Sequence, residues 1–466
     1  MGLAKEVNEA YIKHINKNFD MNREAAASLK EHIERSPLWM NGALDKTLQI
    51  PKVFDEETIE KLRGIGNTMY TIFGKVADAY RNDPEFRKLF PFSKELEDLI
   101  LIPRRFDGFL PIARFDLFYH EDTGDFYFCE VNTDGTADQL RGPEFSKAMI
   151  VNPAHQAVIR KYDLKQFELF DSFIAEFMKL YRSYIYRKGA GSETALKPNI
   201  AIADILDKAT MYDLEEFARH FQAAGMNCEI CDLRKLTYRN GMLYSETGNK
   251  IDAIYRRAVT ADILEYYDEV TDFLNAVRDD AVFLAGAFET QIIHNKWLFH
   301  VLHTEYVKVL LTDEENKFIR EHVPGTWLFG PSTDEVWTRD PGACIALNKV
   351  QSDKDNYIIK PMDAYASKGM YASGREYTQD EWNEITEKYY GEGLICQEYC
   401  PQYETENIDF AWGDGKWHTY TNMPGLYMYN GNFSGILMRM AQSGRILVAL
   451  DTERTAPVYV VTGKRE

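Results

Sequence analysis

Apolar positions recur at helical spacing through the first part of the chain. In "DEETIEKLRGIGNTMYTIFGKVADAY" they trace one face of a long helix. Asp55 stands where an N-cap belongs and Pro91, in "KLFPF", where helices stop, so residues 1 to about 95 are expected to be helical. From residue 113 the period shortens to two, in "ARFDLFYHEDTGDFYFCEVNTDGTAD". Side chains alternate faces along a strand. Phe115, Leu117 and Tyr119 therefore share one face, with Arg114 and Asp116 opposite. In the second run Tyr127, Cys129 and Val131 share a face, with Glu130 and Asn132 opposite. A polar turn centred on Thr123, with Gly124 left-handed, makes this a hairpin in which Asp116 faces Glu130 and Arg114 faces Asn132.

A helical pattern follows in "KQFELFDSFIAEFMKLYRSYIYRK", and "GAGSETALKP" marks a boundary near residue 195. The rhythm then becomes strand ("NIAIADI"), helix ("MYDLEEFARHFQAAG", closed by Gly225), strand ("CEICDL"), with "KIDAIYRRAV" as a further strand. That order predicts an open α/β unit. Residues 286–466 mix strands, helices and glycine turns. The expected organisation is a helical region with the hairpin over 1–195, a small α/β domain over 196–285 and a mixed lobe over 286–466. The fold class is α/β with α+β character, and no repeat or heptad run interrupts it.

A chain of 466 residues, 45% hydrophobic and 13% aromatic, is long enough for two or three packed lobes. Its formal net charge of -19 argues against nucleic-acid or anionic-membrane partners and permits a cationic ligand. Six cysteines make no disulfide framework, and Cys228 and Cys231 form a C-x-x-C without a second ligand pair. The start lacks the apolar core of a signal peptide, Glu6 stands where a myristoylation motif wants Ser or Thr, and no apolar run reaches membrane length. The expected location is a reducing cytoplasm, and a homodimer is compatible with it.

Two carboxylates facing each other across a hairpin repel unless something neutralises them. Asp116, Glu130 and Asn132 form a hard oxygen set suited to Mg²⁺, which prefers few protein ligands plus substrate phosphates. The alternative is a salt-bridge cluster of Asp116, Arg114 and Glu130, which leaves Asn132 unexplained. Further along, "NYIIKPMDAYASKGMYAS" ends an apolar strand in Lys360 and enters a loop of small residues with Lys368 and Gly369. Ammonium groups and loop amides of this kind suit phosphate. It is not the P-loop pattern. In "GLICQEYCPQ" a strand edge carries Gln397 and Glu398, able to meet a purine ring. In "NMPGLYMYNGNFSGILMRM" the glycines permit close approach to a ligand, and Arg439 needs an anionic partner if buried. Together these residues are the inventory of a nucleotide enzyme.

The order of these motifs resembles the synthetase domain of the glutathionylspermidine synthase family, circularly permuted ATP-grasp ligases. The "RFD" of Arg114 and Asp116 and the "EVN" of Glu130 and Asn132 are similar to the family's Arg-x-Asp and Glu-x-Asn. "HNKWLF" with Lys296 and "IIKP" with Lys360 resemble its two ATP lysines. Gln397 falls at its adenine contact, and "GNFSGILMR" leads to Arg439 as its second catalytic arginine. The resemblance implies a pre-ATP-grasp domain over 196–285 and an ATP-binding lobe over 286–466. It implies ATP and Mg²⁺, with two ions possible, on Asp116, Glu130 and Asn132. Lys296, Lys360, Lys368, Gly369, Gln397 and Glu398 would contact the nucleotide, with Arg114 and Arg439 catalytic. The implied reaction joins a small carboxylate or peptide to an amine (a polyamine or amino acid) through an acyl phosphate, releasing ADP and phosphate. Only helices precede the hairpin, so no amidase activity is expected. "TDGTADQL" departs from the family's usual segment after "EVN", near the acceptor region, so the resemblance alone does not assign glutathione and spermidine as substrates. A nucleotide-binding regulator without turnover and an ATP-dependent kinase are the alternatives.

Overall fold

The computed structural model describes residues 2–40, 43–189, 197–331, 342–363, 372–442 and 452–465. The two-residue periodicity at 113–132 does produce a hairpin, strands Ala113–Tyr119 and Phe126–Asn132, with Gly124 at φ 81° in the turn. Asp116 pairs with Glu130 and Arg114 with Asn132. Below Asp116 the register slips, Leu117 pairing with Phe128, so Cys129 is a bulge residue. The slip corrects the expected faces. Val131 joins Phe126 and Phe128 in the core, while Tyr127 and Cys129 pack with Phe118, Cys400 and Met423.

The hairpin is one edge of a six-stranded antiparallel sheet. Ala113–Tyr119 pairs with Trp417–Tyr429, which pairs with Asn432–Gln442 and then Arg454–Ala456, while Tyr403–Ile408 adds to Trp417–Tyr429. Asn430 and Gly431, at φ 47° and 84°, close the long hairpin as an Asn-Gly turn. The long helix forms over Glu56–Asn82, and Asp55 Oδ1 accepts from the Thr58 amide at 2.9 Å as its cap. Its apolar stripe covers the hairpin's inner face, with Phe73 edge-on to Phe115 at 5.4 Å between ring centres.

The N-terminal region is not all helix. Lys52–Asp55 is a strand, parallel to Val458–Lys464, which also pairs with Tyr162–Lys165. A partner some four hundred residues away supplies the ladder that local periodicity could not reveal.

Asn199–Asp204, Asn227–Asp232, Ala253–Arg256 and Phe283–Ala285 form a parallel sheet, with helix Met211–Ala223 as the first crossover and Gly225 at φ 84° after it. A last sheet runs Thr326–Leu328, Leu394–Glu398, Tyr357–Pro361, Ala372–Ser373, all antiparallel. Helix Gln379–Tyr389, begun by a Thr378–Glu381 capping box, covers it, and Trp382 fills a separate core with Phe329, Ile359 and Cys396. No described helix is long and apolar enough to cross a membrane. All six cysteines are free thiols.

Candidate functional site

The polar face of the hairpin is an ion cluster. Arg114 donates from Nε to Asp116 Oδ1 at 2.8 Å and from Nη2 to Oδ2 at 3.2 Å. Arg439, from Asn432–Gln442, donates from Nη2 to Asp116 Oδ2 at 2.5 Å and lies 4.0 Å from Glu130 Oε1. Asn132 Nδ2 donates to Asp116 Oδ2 at 2.9 Å and to Glu130 Oε1 at 3.4 Å. The facing carboxylates therefore do not confront one another bare. Asp116 is wholly buried, and the Glu130 side chain is 23% exposed, so only the latter opens outward.

This packing depends on Gly425, which pairs with Asp116 in the neighbouring strand. A Cβ there would come within 2.7 Å of Arg114 Cδ and collide with the Asp116 carboxylate. The glycines of this stretch thus admit protein side chains. Gly425 makes room for the ion pair and Gly435 for Leu169 and Phe167.

Two lysines from the C-terminal half converge on the same strand. Lys296 Nζ lies 3.4 Å from Glu130 Oε2, and Lys360 Nζ donates to the Cys129 carbonyl at 3.2 Å. A bulge leaves one residue outside the regular ladder, and here its carbonyl receives the lysine. Both lysines are buried, and the Lys296 amide donates to the Met362 carbonyl at 3.0 Å, joining their two segments. Burial pushes the Glu130 carboxyl up, but Lys296, Arg439, Lys360 and Arg114 outweigh it and hold the carboxyl well below the usual range. Burial lowers the Lys360 ammonium.

Gln397 and Glu398 end strand Leu394–Glu398 of the C-terminal sheet, beside the strand that carries Lys360, and both bond to protein groups. Gln397 Nε2 donates to Thr326 Oγ1 at 2.9 Å, and Glu398 Oε2 accepts from the Gly325 amide at 2.8 Å. Lys368 and Gly369 lie outside the described residues. The residue before that stretch, Asp363, accepts from Gln291 Nε2 at 2.6 Å.

Sequence reasoning missed the polar segment that follows the hairpin. Asp138, at φ 76°, places its carboxylate 3.3 Å from Arg114 Nη1 and 3.1 Å from Arg141 Nε. Arg141 also meets Asp45 at 3.0 Å and Glu453 at 2.9 Å. Burial raises Asp138, yet Arg141, Arg114 and Arg439 bring it below its ordinary value. Burial pushes Asp45 up to about 6 despite Arg141. Asp134 is buried against Arg256 at 2.9 Å, with Thr290 Oγ1 donating at 2.6 Å and the Thr260 amide at 3.0 Å. The signal was present as the departure at "TDGTADQL", whose two aspartates are these residues.

Among the described residues no group of three His, Cys, Asp or Glu side chains is arranged to hold a metal ion. The oxygen set of Asp116, Glu130 and Asn132 nevertheless fits a hard cation by donor chemistry, since all three side chains meet at one place. The atom of Asn132 turned towards the carboxylates is its amide nitrogen, so a bound ion requires that amide to rotate.

No protein-family profile and no curated protein sequence matches the chain. Among solved structures, a glutathione synthetase-like effector from Globodera pallida, in its apoform, superposes with a TM-score of 0.58 at 11% identity, covering 94% of this chain and 97% of that one. The fold is α/β and ATP-grasp-like. A D-cycloserine synthetase matches 55% of this chain and 74% of its own at 14% identity and a TM-score of 0.29, too low to carry an argument. In this chain Arg114, Asp116, Glu130, Asn132 and Arg439 of the large sheet are met by Lys360 from the C-terminal sheet and by Lys296 from the segment between helices Gln291–His294 and Leu298–Leu302.

Proposed function

We propose that the chain is an ATP-dependent ligase of the circularly permuted ATP-grasp kind, joining a carboxylate to an amine through an acyl phosphate. One observation carries this reading. Two buried lysines from the C-terminal half, one on Glu130 and one on the Cys129 carbonyl, gather with two arginines on Asp116 at one end of the hairpin, in a chain whose net charge is -19. A local surplus of positive charge in an acidic protein suits a polyphosphate.

In this mechanism Lys296 and Lys360 hold phosphate oxygens, and Arg114 and Arg439 stabilise charge on the transferring phosphoryl group and on the tetrahedral adduct. Asp116, Glu130 and Asn132 would hold Mg²⁺, which neutralises phosphate oxygens when bound. Lys368 and Gly369 would add phosphate contacts, and Gln397 and Glu398 would border the purine. The substrate carboxylate attacks the γ-phosphorus, ADP leaves, and the amine displaces phosphate to form the amide. No protein nucleophile is needed, because orientation and electrostatics lower the barrier. The surplus of carboxylates around Arg141 lies beside Arg114, through Asp138, and suits a cationic amine donor.

The test is a screen of carboxylates against amines for ADP release, with mass spectrometry of the products. ADP and phosphate with an amide product support the reading. AMP and pyrophosphate would point to adenylation, ADP release without an amine to a kinase, and nucleotide binding without turnover to a regulator.

A further inference from the structure

Arg439 holds the position that a second kind of cation would want. Its Nη2 reaches Asp116 Oδ2 at 2.5 Å and stands 4.0 Å from Glu130 Oε1, the same two oxygens that Asn132 Nδ2 meets at 2.9 and 3.4 Å. The side chains suited to a hard divalent ion are thus gathered around one guanidinium nitrogen. The Nε of Arg439 is buried and has no hydrogen-bond partner among the described residues. A buried donor left without an acceptor is costly, and it leaves Arg439 with a donor that an incoming anion could take up.

Departure of Arg439 would leave neither carboxylate stranded. Asp116 keeps both bonds from Arg114, at 2.8 and 3.2 Å, and Glu130 keeps Lys296 at 3.4 Å. Among the described residues Arg114, Arg439, Lys296 and Lys360 outnumber Asp116, Glu130 and Asp138, so a bare divalent ion entering beside them meets a positive surplus.

We propose that Arg439 is a resident cation occupying the place of the divalent ion between Asp116 and Glu130, and that the two exchange places when the ion arrives with a polyphosphate. The proposal rests on the ligase reading for the identity of that anion. The exchange releases the guanidinium, with its unpaired Nε, towards the incoming phosphate oxygens, and lets the Asn132 amide turn its oxygen inward. Arg439 is then a positioning residue for the ion before it is a contact for phosphate. A consequence is ordered assembly, because the ion enters with the nucleotide and not ahead of it.

Mn²⁺ is the probe, its binding followed by electron paramagnetic resonance on the full chain without nucleotide. Wild type and Arg439→Lys, which keep a cation in place, retain Mn²⁺ weakly. Arg439→Gln retains it at least about tenfold more tightly. The double variant Arg439→Gln/Glu130→Gln loses that gain. Equal Mn²⁺ affinity in wild type and Arg439→Gln overturns the proposal, as does a gain that survives in the double variant. A second measurement needs no variant. Wild type gains Mn²⁺ affinity when a non-hydrolysable ATP analogue is added, and wild type that holds Mn²⁺ as tightly without the analogue also overturns the exchange. Calorimetry with the analogue alone reads the ligase proposal separately. A chain without nucleotide affinity sinks that reading while the Arg439→Gln comparison still decides the exchange.

Discussion

Glu130 and Asp134 lie in one short stretch, both in contact with cations, and their surroundings differ in how completely charge and hydrogen bonds are matched. Asp134 is fully buried and fully served, facing Arg256, Thr290 Oγ1, Thr260 Oγ1 and the Thr260 amide. Arg256 in turn spends its donors on Asp134, the Gly286 and Ala258 carbonyls and the two threonines. Charge and hydrogen bonds balance, and the knot ties the end of the hairpin to the parallel sheet. The Glu130 cluster is unbalanced. Among the described residues four cations, Arg114, Arg439, Lys296 and Lys360, meet three carboxylates, Asp116, Glu130 and Asp138, one guanidinium nitrogen has no partner, and the Glu130 carboxylate is partly exposed. A balanced buried pair is complete within the protein, whereas an unbalanced one leaves charge for the polyphosphate of the proposed reaction to meet.

The largest effect should come from breaking the balanced pair. Asp134→Ala leaves Arg256 buried without its counter-charge and should cost about 3–5 kcal/mol in urea denaturation, with or without MgATP. A loss below about 1 kcal/mol would erase the distinction between the two regions.

Arg439→Ala should do the reverse. It should lower amine-dependent ADP release by about 10²–10³-fold, the cost of losing a donor aimed at transition-state charge. Asp116 retains Arg114, so the urea midpoint should move little. A variant that is fully active, or unfolded, would place Arg439 with Arg256 as a structural cation.

Lys360→Ala should weaken binding of an ATP analogue about 10–100-fold in calorimetry, through loss of a charge-assisted contact. Unchanged affinity would mean that the lysine serves only the Cys129 carbonyl.

The smallest effect sharpens the comparison from the opposite imbalance, at Arg141 with its three carboxylates. Asp45 is pushed up to about 6 by burial. Between about pH 4, its unfolded value, and pH 6 the native state therefore binds a proton that the unfolded chain does not. Asp45 costs stability above that window and the cost fades as pH falls through it. Asp45→Asn should raise the unfolding free energy by roughly 1–2 kcal/mol at pH 8 and by nothing at pH 4, read from urea titrations at both values. Equal effects at the two pH values would show that the neighbouring charges are compensated. Asp134, held down to about 2 because Arg256, His294 and the threonines outweigh burial, has the other sign. Its contribution is present above about pH 4 and is lost as pH falls towards 2.

Much of this site was legible from spacing. Alternation with period two placed Asp116 opposite Glu130, but next to the turn Tyr119 pairs with Phe126, one residue off a register centred on Thr123, and the Asp116–Glu130 pair forms because a bulge restores the offset. The bulge at Cys129 was not legible, because alternation does not say where a strand gains a residue. Also not legible were the protein partners of Gln397 and Glu398, Thr326 Oγ1 on the neighbouring strand and the Gly325 amide just before it, which no local signal connects to them.

The chain's own sequence determined the elements that depend on neighbours a few residues apart. These are the capped helix at Glu56–Asn82, the polar face of the hairpin, and the strand–helix–strand order from Asn199 to Asp232. Only the tertiary structure decided which charges meet. Arg439 reaches Asp116 because Trp417–Tyr429 inserts between its strand and the hairpin, and because Gly425 there has no side chain. Lys52–Asp55 became a strand because Val458–Lys464 returned to it. The physical reason is one of range. Periodicity and caps are set by backbone geometry over a few residues. The energy of an ion cluster depends on distance and burial between groups that only folding brings together.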